Sequence, residues 1–147
     1  MRPLTKKNYK EKTDSMSHED WKPLLDLIPV IEETETFTEP RAVSYTDDDI
    51  LLYKPPKEAP VIYTFLEVVY QIPIIIDFGW AQWDEGRELA DNPDTDYDSI
   101  DIPTKCKLIT AFVRNDRFCD GALASRFEDG TILRILKSIR NQVPPGV

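Results

Sequence analysis

The chain has 147 residues, of which 41% are apolar and 31% charged, and this composition excludes a disordered chain and predicts one globular domain. No apolar run approaches the roughly 20 residues of a membrane-spanning helix, and the basic N-terminus lacks the apolar stretch of a secretory signal. We therefore expect a cytoplasmic protein that makes no membrane contact.

The net charge of −9 is unevenly spread along the chain. Residues 23–104 carry nineteen acidic and four basic side chains, whereas residues 105–147 carry eight basic and four acidic ones. The acidic part repels phosphates, which argues against direct nucleic-acid binding. Attraction between the acidic and the basic parts is the simpler explanation of the pattern.

The metal-binding and nucleophilic side chains are few. The chain has two cysteines, Cys106 and Cys119, and one histidine, His18. They do not make a Cys/His zinc set, and a Ser–His or Cys–His pair depends on a histidine near the N-terminus. The sequence therefore predicts no metal and no cofactor, and reduced thiols.

The first part of the chain divides into an arm and a helix. Residues 1–16 are polar and without a period, so we expect a flexible arm followed by a single helical domain over residues 17–143. Asp20 is expected to cap the first helix, Pro23 to fall in its first turn, and Pro29 to kink or end it. The apolar stripe of this helix is Trp21, Leu24, Leu25, Ile28 and Ile31.

The middle of the chain predicts a hairpin and a buried helix. Residues 42–45 and 50–53 are strand-like, and residues 46–49 suit a hairpin turn between them. Residues 61–71 are apolar nearly all round, which is typical of a central helix.

The last part predicts four helices. Trp80 and Trp83 are expected to fill the core beside a short helix over residues 83–92. Asp101, Asp120 and Thr131 are expected to cap the next three helices, and Gly130 to end the second of them. The apolar stripes of the first and third of these are Leu108, Ile109, Phe112 and Val113, and Ile132, Ile135, Leu136 and Ile139. The predicted fold is mainly α, a compact multi-helix domain with a minor β-hairpin around residues 42–53.

The stretch from Leu108 to Leu136 resembles a bacterial domain family of unknown function. The hallmark of that family is an Arg-Phe-Cys-acidic-Gly phrase, here residues 117–121, followed by a short helix, a glycine and an amphipathic helix. The Asp20-Trp21 pair and residues 78–83 are also similar to it. The resemblance covers residues 18–140 and is poorest over residues 36–58, so a surface there is expected to be particular to this protein. It implies no activity, cofactor or catalytic residue.

One charged constellation surrounds this phrase and has two interpretations. Two guanidinium groups beside carboxylates suit a phosphate or carboxylate ligand. The alternative is a structural keystone, a turn in which Asp120 caps the next helix and Phe118 and Cys119 pack inward, and the sequence favours it. The candidate residues are Arg114, Asp116, Arg117, Cys119 and Asp120.

A second constellation is acidic. Asp94, Asp96 and Asp98 match the start of a calcium loop, but Ser99 and Lys105 stand where that loop needs glycine and glutamate. A solvated acidic surface is the better interpretation. The candidate acidic interaction surface is Asp47, Asp48, Asp49, Asp94, Asp96 and Asp98.

Two weaker patterns remain. Asp77 and Asp84 lie beside two tryptophans, as the paired carboxylates of sugar-cleaving enzymes do, although a tryptophan pair near the start of a helix is more often part of the core. A basic stripe on the last helix suits an acidic partner, but cations there also favour the helix dipole. The residues of this stripe are Arg134, Lys137 and Arg140.

These patterns favour a non-enzymatic, cytoplasmic protein-interaction module whose partner is another protein. The first alternative is an acidic inhibitor of phage or mobile-element origin that imitates nucleic-acid charge. The second is an enzyme that acts on a small anionic substrate through Arg114, Asp116 and Arg117.

Overall fold

The computed structural model of the protein describes residues 4–5, 8–38, 43–45, 47–48, 51–53, 58–72 and 74–143. Eight α-helices lie within these ranges, which confirms the mainly α prediction. None of the described helices has the length and apolar character needed to cross a membrane. The helices are α1 (Tyr9–Asp14), α2 (His18–Leu25), α3 (Leu27–Glu33), α4 (Pro60–Gln71), α5 (Asp84–Asp91), α6 (Ile102–Asp116), α7 (Ala122–Glu128) and α8 (Thr131–Gln142), with 3₁₀ turns at Trp80–Gln82 and Tyr97–Ser99.

Four short strands are found in the described part of the chain, and they form two separate pairs. Strand β1 (Leu4–Thr5) lies parallel to β4 (Ile76–Asp77). Strands β2 (Val43–Tyr45) and β3 (Leu51–Tyr53) are antiparallel, with Val43 opposite Tyr53, and this pairing is the predicted hairpin. An antiparallel bridge between Thr38 and Glu58 lies outside these strands.

The N-terminal segment differs from the expected flexible arm. Helix α1 packs on α6, and the Thr13 side chain is buried, with its hydroxyl donating to the carbonyl of Tyr9 at 2.8 Å. Tyr9 and Met16, four residues before and three after Thr13, also pack against the core. A threonine at the central buried position hides this helical period from a search for apolar residues.

Helix α2 begins earlier than predicted. Ser17 is its N-cap: the Ser17 hydroxyl accepts from the backbone N–H of Asp20, and the Asp20 carboxylate accepts from the N–H of Ser17 at 2.8 Å. Asp20 is therefore the third residue of the helix, and Pro23 lies inside it. The helical run breaks at Asp26, so Pro29 falls in the first turn of α3, where a missing N–H costs little.

The core lies between α2, α3, α4, α6, α7 and α8. The ring of Phe65 on α4 meets Phe127 on α7 edge-to-face at 5.2 Å, and Phe37 packs on the same ring at 5.5 Å. All predicted apolar stripes are buried. Helix α4 buries one face but leaves Tyr63, Thr64 and Glu67 exposed, so it is not the central helix, buried nearly all round, that the sequence predicts. Besides the predicted stripes, the core includes Leu27, Val61, Ile62, Val68, Val69, Ile74, Ile75, Ile76, Ala90, Tyr97, Cys106, Leu123, Ala124 and Val143.

The caps of the last three helices are correct in one case and wrong in two. Asp101 caps α6, accepting from the N–H of Thr104 at 2.9 Å, as predicted. Asp120 does not cap α7. The carboxylate of Asp116 accepts from the N–H of Leu123 at 3.1 Å instead, because Gly121 at φ +83° turns the chain back over the end of α6.

Thr131 likewise does not cap α8, because it is the first residue inside that helix and is buried. The carboxylate of Asp129 accepts from its backbone N–H at 2.9 Å. Gly130 between them has φ +84°, which agrees with the predicted left-handed glycine.

Candidate functional site

The turn after α6 is not the buried corner that the sequence predicts. Phe118 is 77% exposed and Cys119 is also exposed. The reason is helical geometry. Residues 107, 111, 114 and 118 recur at i, i+4, i+7 and i+11, and they form a stripe beside the buried stripe of α6. Phe118 follows the end of α6 on this outer stripe, so its ring lies on the outside of the domain.

The charged residues of this turn point to different neighbours. The guanidinium of Arg117 donates to the hydroxyl of Tyr70 on α4 at 3.2 Å, whereas the Asp116 carboxylate caps α7. The carboxylates of Asp116 and Asp120 add to burial in raising the pKa of Glu58. These contacts therefore do not bring the charged side chains together around one position, as a ligand site would need. The candidate residues for that site are Arg114, Asp116, Arg117, Cys119 and Asp120.

Phe118 instead contacts Trp80, one of the two tryptophans of the loop before α5. Its ring packs against Trp80 with the ring centroids 5.9 Å apart and the planes tilted by 32°. Trp80 and Trp83 are both half-buried. Trp83 packs against the core of the described residues, whereas Trp80 does not, so the prediction that both fill the core is wrong for Trp80 and holds only in part for Trp83. Trp21 on α2 is the tryptophan that the core encloses, at 1% exposure.

A cleft of about 200 Å³ opens between the tryptophans and helices α5 and α6. Its apolar walls are Trp80, Trp83, Ala90, Leu108, Ala111 and Phe112. Gly86 on α5 lies under the indole of Trp83, where a Cβ would come within 2.2 Å of the ring. A side chain at position 86 would therefore displace Trp83, which lines the cleft. We call Phe78, Trp80, Trp83, Phe118 and this cleft the aromatic surface.

Cations flank the aromatic surface on both sides. The ammonium of Lys107 lies 4.4 Å from the ring centroid of Trp83 and 4.9 Å from that of Phe78, a cation–π arrangement. Arg87 is 63% exposed and makes a loose ion pair with Asp84 at 3.9 Å. Among the described residues, Lys107 and Arg114 have no carboxylate within ion-pair distance.

One cation of the rim is already paired. Arg126 donates to the carboxylate of Asp91 at 2.7 Å and to the carbonyl of Ala90 at 3.2 Å, and its guanidinium lies over the ring of Phe112. It therefore fixes α5 against α6 and α7. Asp77 on β4 and Asp84 on α5 are both exposed, and no contact between the described atoms brings these two carboxylates together.

The predicted acidic surface is partly engaged inside the molecule. Asp96 caps the Tyr97–Ser99 turn by accepting from the N–H of Asp98 at 3.1 Å, and Asp98 accepts from the hydroxyl of Ser138 at 2.6 Å. Asp94 is exposed, as are Asp47 and Asp48 in the hairpin turn, whereas Asp49 lies outside the described residues. In the described part of the chain, no group of three or more His, Cys, Asp or Glu side chains is placed to hold a metal ion.

Two residues of the basic stripe serve internal contacts. Arg134 donates to the carbonyl of Thr95 at 2.6 Å, and Lys137 pairs with Glu32 at 3.4 Å. Arg140 is exposed. Together with Arg126 and Asp91, the Lys137–Glu32 pair shows basic residues of the last part attracting acidic residues of the middle.

Sequence reasoning missed a buried polar network at the start of α6. Lys105 is fully buried, and its ammonium donates to the hydroxyl of Ser138 at 2.5 Å. Burial lowers the pKa of Lys105 from 10.5 to about 8, and the hydrogen bond from Ser138 lowers the pKa of Asp98. The burial of Lys105 could have been predicted from the sequence. Lys105, Leu108 and Ile109 are at i, i+3 and i+4, so the lysine lies on the buried stripe of α6.

Comparisons with known proteins identify one family. A family model described as a family of unknown function (DUF6508) matches residues 16–144. A comparison with curated proteins gives no match, and a comparison with solved structures gives none either.

Proposed function

Because the chain belongs to the DUF6508 family of unknown function, we propose a function from the geometry: it is a non-enzymatic module that binds another protein through the aromatic surface. The observation that carries this proposal is Phe118, which is 77% exposed and packs on Trp80 beside an apolar cleft.

The energetics of Phe118 support this role. Full burial of such a side chain stabilises a protein by about 1.5–3 kcal/mol, and the fold of this chain forgoes most of that gain. Exposed apolar patches rimmed by polar groups are typical of interaction sites, and tryptophan, tyrosine and arginine dominate the binding energy of known interfaces. The aromatic surface combines Trp80 and Trp83 with Arg87 and Arg114 nearby.

The contacts of the charged residues support a non-enzymatic role. Asp116 and Arg117 are engaged with Leu123 and Tyr70, which leaves neither aligned on a shared substrate position. Burial raises the pKa of the Cys106 thiol, so this cysteine is a poor nucleophile. The acidic-inhibitor alternative has weaker support, because Asp96 and Asp98 accept internal hydrogen bonds.

We infer a cytoplasmic location from the thiols. Cys106 is buried and Cys119 is exposed, and both are free. Free cysteines of this kind persist in a reducing compartment.

Affinity capture from cells of the native host, read by mass spectrometry, tests the proposed function. The bait variants are Phe118→Ala and Trp80→Ala, and the matched control is Val30→Ala, which removes an exposed apolar side chain on α3, a helix that supplies no residue to the aromatic surface. We expect a protein partner that wild type and Val30→Ala retain and both aromatic variants lose. Recovery of the same partners by all four baits contradicts the proposal.

A further inference from the structure

We propose that the segment recognised by the aromatic surface is an acidic peptide with one large apolar side chain, which enters the cleft while its carboxylates pair with Lys107 and Arg114. This inference rests on the proposed function and adds the chemistry of the partner.

The size and lining of the cleft determine which side chain of the peptide can enter it. Small-molecule and cofactor sites are commonly 300–1,000 Å³, so a cleft of about 200 Å³ holds one side chain rather than a whole cofactor. Leu108, Ala111 and Phe112 offer dispersion contacts in it. Polar side chains line the cleft as well: Arg87, Asn115 and the paired Asp91 and Arg126. A phenylalanine, leucine or tryptophan of a partner gains the most there, because the apolar wall is already formed.

The charges beside the cleft indicate that the residues on either side of this apolar side chain are acidic. In a chain of net charge −9, Lys107 and Arg114 have no ion-pair partner within the described residues, whereas the nearby Arg126 is paired with Asp91. These two cations are two helical turns apart on α6, about 10 Å along the axis. Carboxylates four residues apart on an extended segment lie on one face about 13 Å apart, a distance that long glutamate side chains adjust to this spacing, and the residue midway between them faces the same way.

Lys107 is held in place before any partner arrives. The rings of Phe78 and Trp83 contact its ammonium, and these two rings pack edge-to-face at 5.6 Å. A positioned ammonium loses less side-chain entropy when a carboxylate binds. The ring contacts leave N–H donors of the ammonium available for that carboxylate.

A single-stranded nucleic acid also combines rings with negative charge, and the structure favours the peptide over it. A polyanion is repelled by the acidic chain as a whole, whereas a short peptide brings few charges. Base stacking uses open aromatic faces, while this site is a cleft closed on one side by α6.

The test measures the affinity of a fluorescent peptide, with one phenylalanine between glutamates, for the full chain by anisotropy. Arg114→Gln and Lys107→Met should each weaken binding about threefold, as for exposed ion pairs, and Phe118→Ala about tenfold. Arg140→Gln is the matched control, since it removes an exposed cation on α8, and it should leave the affinity unchanged.

Two further probes separate the parts of the inference. A peptide with glutamine for glutamate should bind more weakly, and equal binding overturns the acidic requirement while leaving the proposed function intact. Tighter binding of an oligothymidine than of the acidic peptide overturns the inference in favour of nucleic acid. Unchanged peptide binding by Phe118→Ala, or no binding of any probe, overturns the aromatic surface as the site of this recognition.

Discussion

Helix α6 buries a lysine in its first turn and leads at its other end to an exposed phenylalanine. At the first end, Lys105 has a partner in Ser138, and Ser138 has one in Asp98, so both of these buried polar side chains have a partner within the chain. At the second end, Phe118 has only part of its ring covered, by Trp80.

The difference between the two ends separates structural from functional irregularities. A charged side chain inside a protein is tolerated when hydrogen bonds and opposite charges replace the water that it loses. Ser138 and the nearby Asp98 replace part of that water for Lys105, and its lowered pKa shows that the replacement is incomplete. An exposed aromatic side chain gains nothing from the fold, and its remaining surface is available to a partner. We therefore assign Lys105, which has polar partners inside the chain, to the stability of the fold. We assign Phe118, whose ring is largely uncovered, to binding.

Breaking the buried network should give the largest effect. Ser138→Ala removes the hydroxyl between Lys105 and Asp98 and leaves a buried ammonium without its acceptor. We expect the free energy of unfolding to fall by about 3 kcal/mol in urea denaturation. The double variant Lys105→Met/Ser138→Ala should regain most of this loss, and an equal loss in both variants would show that Ser138 acts by packing alone.

The same network predicts an unusual pH dependence. The pKa of Lys105 is about 8 in the folded chain against 10.5 ordinarily, so between these values the unfolded chain binds more protons. The contribution of Lys105 to stability should therefore rise with pH, by about 2 kcal/mol between pH 8 and pH 10. The buried Cys106 opposes this rise, because its raised pKa means that the unfolded chain loses the thiol proton first. The difference between wild type and Lys105→Met, from urea denaturation at several pH values, therefore measures the Lys105 contribution. Lys105→Met should abolish this rise, and a wild-type curve that coincides with the variant curve would contradict the depressed pKa.

The caps next to Phe118 give an intermediate effect. Asp116→Ala should lower the free energy of unfolding by about 1 kcal/mol, because the N–H of Leu123 loses its acceptor. Asp120→Ala should change stability by less than about 0.5 kcal/mol, since the Asp120 side chain is exposed. Thermal melts that rank the two variants in the reverse order would restore Asp120 as the cap.

The smallest effect on stability is expected at the aromatic surface itself. Phe118→Ala should alter the free energy of unfolding by less than about 0.5 kcal/mol, while Phe65→Ala, which empties a fully buried position, should cost about 3–5 kcal/mol. Chemical denaturation of both variants measures the contrast. A loss at Phe118 comparable to that at Phe65 would mean that the ring is part of the core.

Much of the fold could be predicted because it depends on periodic burial. The spacing of Leu108, Ile109, Phe112 and Val113 defines α6, and the turn residues between two strand-like segments define the hairpin. Helix α1 was not predictable in this way, because its buried position is a threonine. The sequence prediction named Asp20 as the cap of α2, whereas Ser17 and Asp20 together form a capping box through two reciprocal hydrogen bonds.

The candidate site was only half predictable. The sequence singled out residues 114–120 and the two tryptophans, but it placed Phe118, Trp80 and Trp83 inside. Burial of an individual residue depends on which helix face its neighbours cover, and this is a tertiary property. Trp21, which a helical stripe predicted, is buried, whereas Trp80 and Trp83, which lie outside such a stripe, are half-buried. The contact between Phe118 and Trp80 joins residues 38 positions apart, which local patterns do not encode.

The bridge between Thr38 and Glu58 has a consequence for how the chain tolerates changes in length. The N–H of Ala59 donates to the carbonyl of Phe37 at 2.8 Å, so the chain leaves and re-enters the helical domain at one place, while Phe37 stays anchored on Phe127. Lengthening a segment between such points adds only closure entropy, which grows slowly with length. We therefore expect a change of length between Thr38 and Glu58 to leave the contact between Phe37 and Phe127 in place.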